Sequence, residues 1–90
     1  MPVQLGSVSL AEKRHKKYRM LAEKNKDKGK LAQAERCYNK ALYISMNIMK
    51  SDNLLIAVDL ESLGTVLWAQ GKKEAAEALM ARAKGIKEGI

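Results

Sequence analysis

One phrase occurs twice in this chain. The first copy reads Gly29-Lys30-Leu31-Ala32-Gln33-Ala34-Glu35-Arg36-Cys37-Tyr38-Asn39-Lys40-Ala41-Leu42. The second reads Gly71-Lys72-Lys73-Glu74-Ala75-Ala76-Glu77-Ala78-Leu79-Met80-Ala81-Arg82-Ala83-Lys84, a period of 42 residues. Each copy opens on Gly-Lys and places Ala four residues after the Lys (Ala34, Ala76), with an acid directly behind it (Glu35, Glu77). A bulky side chain follows four further on (Tyr38, Met80), then a second Ala three beyond that (Ala41, Ala83). Repetition at this scale marks supersecondary units that stack on one another. The spacing i, i+4, i+7 places these residues on one face of a helix. A small residue then lets a neighbouring helix come close, and the bulky one locks over it. Gly29 and Gly71 stand where a helix must end in the left-handed conformation that Gly adopts without penalty.

The rest of the composition agrees with helices. The one proline is Pro2, so no helix breaker lies in the interior, and phenylalanine is absent. A single domain of 90 residues buries only about 60–65% of its unfolded surface, which makes modest stability the expectation. Cys37 is the only cysteine and His15 the only histidine. No intrachain disulfide and no Cys/His metal site can form from them, and a reducing cytoplasmic location is the expectation. No leader is visible in residues 1–10, and no apolar run reaches the roughly 18 residues of a membrane span. The formal net charge is +7, of which +6 falls between Glu12 and Lys30. A field of that sign favours acidic partners, anionic lipid or nucleic acid.

Four helices are predicted, paired as two hairpins: residues 1–8 as a loose lead-in, 9–50 as the first unit and 51–90 as the second. Ser9-Leu10-Ala11-Glu12 matches a capping box, so helix one is expected from about Leu10 to Lys28, with Leu10, Ala11, Tyr18, Leu21 and Ala22 as a thin apolar stripe. Helix two is expected from about Lys30 to Lys50, burying Leu31, Ala34, Tyr38, Ala41, Leu42, Ser45, Ile48 and Met49. Ser51-Asp52-Asn53 supplies N-cap candidates for helix three, which runs from about Leu54 to Gln70. It is apolar on more than one face and so is expected to lie between neighbours, with Gly64 at a close crossing. Helix four follows from about Lys72 to Glu88.

These residues resemble the tetratricopeptide repeat (TPR), whose first helix carries Trp, two residues, Leu-Gly, two residues, Tyr, and whose second carries Ala, three residues, Phe. The second unit resembles it in Leu60, Leu63-Gly64, Leu67, Gly71, Ala76, Met80 and Ala83. The first does so in Tyr18, Leu21-Ala22, Gly29, Ala34, Tyr38 and Ala41, with Asn25 as a departure. The Pro that usually follows each second helix is missing, with Met46 and Glu88 in its place. The period of 42 is similar to the long repeats of kinesin light chains. The resemblance covers about residues 15–90. It implies an all-α fold, two helix-turn-helix hairpins stacked as a TPR-type α-solenoid fragment, with the first helix of each pair lining a groove that holds a peptide or protein segment. The surface it implies comprises Lys16, Arg19, Glu23 and Lys26 on helix one and Val58, Glu61, Thr65 and Trp68 on helix three. Some family members clamp a chaperone's terminal carboxylate. At the matching positions this chain has Arg19, Glu23 and Ser62, so that ligand is not expected.

The function expected is therefore a protein-interaction module whose ligand is a protein or peptide, with Lys16, Arg19 and Lys26 favouring an acidic one. The alternative is a basic helical bundle that binds nucleic acid or an anionic surface through residues 13–30. No recognised nucleic-acid module is present, and no aromatic residues are spaced for base stacking. Catalysis is not expected: His15 has no Cys or Ser partner at a telling spacing, and Asp59 and Glu61 do not share a helical face. Cys37 lacks a resolving partner. No cofactor and no metal are implied. Trp68, the lone tryptophan, is expected in the core between helices one and three, a hot spot in the groove being the other possibility. Repeat arrays usually need three or more units, and helix four shows Leu79 and Ile86 on its outer face. Either the 90 residues belong to a longer array or they self-associate through helix four.

Overall fold

The protein is described by a computed structural model over residues 2–89, with side chains from Leu10 to Gly89. Four α-helices follow one another: α1 (Pro2–Asp27), α2 (Leu31–Tyr43), α3 (Asn53–Ala69) and α4 (Lys73–Glu88), and no strand occurs among the described residues. A π-helical segment, Ile44–Ile48, continues α2. α1 packs on α2 and α3 on α4, while α2 joins the two hairpins by packing on α3. The result is a flat body of 46 × 33 × 15 Å.

The two hairpin turns have the same geometry. Gly29 and Gly71 have φ of 77° and 84°. Lys30 N–H donates to the Asn25 carbonyl at 2.8 Å, and Lys72 N–H donates to the Leu67 carbonyl at 2.9 Å. Gly29 N–H reaches the Lys26 carbonyl at 3.0 Å, and Gly71 N–H reaches that of Trp68 at 2.9 Å. These paired bonds form a Schellman closure, which satisfies the carbonyls that a helix end leaves free. Lys30 and Lys72 then start α2 and α4 with φ of −86° in both cases. Repeated sequence has produced repeated backbone.

The small-then-bulky pattern forms the core. Ala34, Ala41, Ala76 and Ala83 are fully buried, as is Ala22 of α1. One cluster joins Ala22, Ala34, Tyr38, Leu63, Val66, Leu67 and Ala76, taking residues from every helix. A second holds Ala57, Leu60 and Ala83 between α3 and α4. A Cβ added at Gly64 would lie 3.1 Å from the Met80 side chain, so α3 and α4 do cross closely there. Burial pushes the Tyr38 phenol above its ordinary range, because the phenolate would lose solvation; the nearby Glu23 carboxylate acts in the same sense.

Several expectations need correction. α1 begins at Pro2 rather than Leu10. Pro is at ease in the first helical turn, where its missing N–H has no partner to lose. Residues 2–8 are therefore helical, and Ser9 lies inside the helix, its side chain outside the described ones. α1 buries Ala11, His15 and Ala22, while Leu10 and Leu21 are exposed. Asn25, which breaks the pattern, donates to its own helix at the Leu21 carbonyl, 2.9 Å away. In the second unit the matching Leu67 is buried. The π segment turns Ile44 and Ser45 inward and leaves Ile48 55% exposed. A π turn takes an extra residue relative to an α turn, and this rotates the side chains after it off the α-helical stripe. Asp52 caps α3, its carboxylate accepting from Leu55 N–H at 3.0 Å. Leu79 and Ile86 are half-buried against the core clusters rather than bare. Trp68 is 50% exposed and is not a core residue.

Candidate functional site

α3 is the most apolar helix, yet it holds a carboxylate that is fully buried, Asp59. A buried charge must be paired and hydrogen-bonded to be tolerated. Three donors converge on it from two other elements. Arg19 of α1 donates through Nη1 to Oδ1 at 2.7 Å. His15, one turn earlier, places Nε2 2.7 Å from Oδ2. Ser45, from the π segment, donates its hydroxyl to the same oxygen at 2.7 Å. Arg19 also reaches Ser62 Oγ through Nη2 at 3.2 Å, and its guanidinium lies 5.6 Å from the Tyr38 ring centre. α1, the end of the first hairpin and α3 are thus tied at one polar node. A second tie lies further along, where Glu35 of α2 accepts from Gln70 at 2.7 Å and Lys72 at 3.2 Å. The Gln70 hydrogen bond, followed by the Lys72 contact, holds the Glu35 carboxyl below its usual range against the opposing effect of burial.

Beside the node, α3 presents a stripe to solvent. Leu54, Val58, Thr65 and Trp68 are exposed, and Glu61 is half-exposed. Their spacing of i, i+4, i+7, i+11 and i+14 keeps them on one face. Glu61 pairs with Lys87 of α4 at 2.7 Å, and the Thr65 hydroxyl donates back to the Glu61 carbonyl at 2.9 Å. Lys73 Nζ stands 5.7 Å over the Trp68 ring. On α1, Lys16, Glu23 and Lys26 are exposed. Arg19 is the exception among the eight predicted positions: its donors point inward to Asp59 and Ser62, and its side chain is only 24% exposed. The node joins α1 to α3 through His15 and Arg19.

Sequence reasoning put Ser45 on the buried face, where it lies, but missed the burial of Asp59, its pairing with Ser45 and the inward role of His15. The available signal was Asp59 itself, an acid three residues after Ile56 and four before Leu63 and so on the face where α3 buries its apolar residues, because such a carboxylate requires partners elsewhere in the chain. Cys37 is half-buried against the core. Among the described residues no group of His, Cys, Asp and Glu could hold a metal ion, and no helix is long and apolar enough to cross a membrane.

Two hairpins with matching turns, each sealed by small residues and nested through α2 and α3, define an α-solenoid of helix-turn-helix repeats. A family model described as tetratricopeptide repeat matches residues 14–88. The chain therefore belongs to the tetratricopeptide repeat family, a non-catalytic scaffold whose members generally mediate protein–protein interaction. No curated protein and no solved structure matches the chain.

Proposed function

We propose that the protein is an interaction module that holds a peptide or protein segment along the rows of α1 and α3. The observation that carries this reading is the exposure of Trp68. The only tryptophan of the chain is 50% exposed at the end of an exposed stripe, beside Lys73, although the neighbouring Val66 and Leu67 are buried. A large aromatic held half in water is the kind of anchor that dominates protein interfaces. Val58, Thr65 and Trp68 supply contact area. Lys16, Glu23, Lys26 and Glu61 form a polar rim, and Arg19 positions α3 through Asp59. The positive charge of α1 favours an acidic ligand. The 42-residue spacing, extended by the π segment, supports placing the chain with the long repeats of the kinesin-light-chain kind. Self-association through α4 has less support, because Leu79 and Ile86 are already packed against the core.

Capture of partners from the native source, with wild type and Trp68→Ala compared by mass spectrometry, tests the reading. A polypeptide partner that is lost with Trp68→Ala, at an unchanged thermal melt, is expected. Recovery of nucleic acid alone, abolished by replacing Lys13, Arg14, Lys16 and Lys17 while Trp68→Ala has no effect, would favour the basic-bundle alternative.

A further inference from the structure

A second recess lies on a different edge of α1, between its Leu10–Tyr18 stretch and the end of the first hairpin. It is an open trough of about 500 Å³ lined by apolar and aromatic side chains. Leu10, Tyr43 and Ile48 border it while being 48%, 60% and 55% exposed. Three large apolar side chains converging on one open recess are what marks an interaction surface, whereas a single exposed one is ordinary. The recess exists because the π segment turns Ile48 away from the core and because α1 runs on beyond the end of α2. Its polar rim has one sign. Arg14 and Lys40 line it, no carboxylate does, and neither cation forms an ion pair with an acid among the described residues. Lys40 Nζ is held 5.3 Å from the Tyr18 ring centre, at the trough.

We propose that this trough is a second docking site, distinct from the α1–α3 rows, and that its occupant is an acidic amphipathic helix of a partner protein. The stretch from Leu10 to Tyr18 is about 12 Å long at 1.5 Å per residue, which matches two turns of a partner helix. Apolar side chains at i, i+4 and i+7 fill the floor, and carboxylates beside them meet Arg14 and Lys40. Charge also argues against a second copy of this chain. Arg14 and Lys40 line the trough, and α1 carries Lys13, Lys16, Lys17 and Lys24 around a second dent. A two-fold pairing would set these cations face to face. α4 of a second copy offers no exposed large apolar side chain to insert.

The probe is a fluorescein-labelled 14-residue synthetic helix with Leu at i, i+4 and i+7 flanked by Glu, followed by fluorescence anisotropy with the full chain. Wild type is expected to bind it. Ile48→Ser and the double variant Arg14→Glu, Lys40→Glu each weaken binding tenfold or more, while Trp68→Ala leaves it unchanged. Ile48 is already exposed, so its replacement does not threaten folding, and an unchanged melt checks this. Failure of wild type to bind overturns the proposal, as does equal binding of a scrambled peptide of the same composition. Loss of binding with Trp68→Ala also overturns it while leaving the α1–α3 reading standing. Binding to phosphatidylserine vesicles that depends on Ile48, without binding to the peptide, would assign the surface to a membrane and sink the proposal too.

Discussion

Replacing Asp59 with Ala tests the polar node directly. The substitution removes the acceptor from three donors at once. His15 is 6% exposed and cannot turn to water instead, whereas the buried Ser45 hydroxyl can fall back on the Leu42 carbonyl, 3.0 Å away. An orphaned buried donor costs about 1–3 kcal/mol. Arg19, with 24% of its side chain exposed, can swing partly into solvent and loses less. Breaking a buried charged pair by removing one partner typically destabilises by about 3–5 kcal/mol, and His15 and Arg19 are the partners that Asp59 would strand. At about 0.05–0.15 kcal/mol per residue, the total stability of a chain this size is about 5–13 kcal/mol. Asp59→Ala therefore removes about a quarter or more of it. Urea unfolding followed by far-UV circular dichroism should show a midpoint lower by about 2 M, for a slope of about 2 kcal/mol per M. Asp59→Asn keeps one acceptor oxygen but aims an NH2 group at donors, and should fall between wild type and Ala. Arg19→Met should cost less than Asp59→Ala, since the carboxylate keeps His15 and Ser45. A loss below about 1 kcal/mol for Asp59→Ala would refute the claim that the node holds the hairpins together.

The matching turns make a paired prediction: Gly29→Ala and Gly71→Ala each force an L side chain to positive φ with open space around it. Each should cost about 1 kcal/mol in the same denaturation assay, and unequal costs would contradict equivalent turns. Glu35 gives a pH signature whose sign follows from its lowered folded value. Its contribution is complete above the ordinary value of 4.5 and is lost as pH falls through the lower folded one. Glu35→Gln should therefore flatten the acid limb of stability below pH 4.5, measured as melting temperature against pH; an unchanged limb would remove Glu35 from the inter-hairpin tie.

The hairpins themselves were legible in the chain. Gly29 and Gly71, the four core alanines and the Asp52 cap act over one or two turns, where spacing alone says which residues meet. Gly64 was readable for the same reason, since an unexplained glycine inside a helix points to a close approach. The start of α1 was not, because a capping pattern at Ser9 competes with Pro2, and either residue can open a helix.

The candidate sites divide differently. Hydrophobic periodicity specified two stacked helical pairs, because short-range steric and hydrogen-bonding preferences act along neighbouring residues. It could not say that Trp68 would stand in solvent, that Arg19 would turn inward, or that Ile48 would rotate out to border a trough. The inward turn of Arg19 hangs on Asp59, whose partners His15 and Arg19 lie 44 and 40 residues away. A buried carboxylate chooses its donors only after the helices have packed. How α1 is tied to α3 depends on that distant pairing, and no local pattern encodes it.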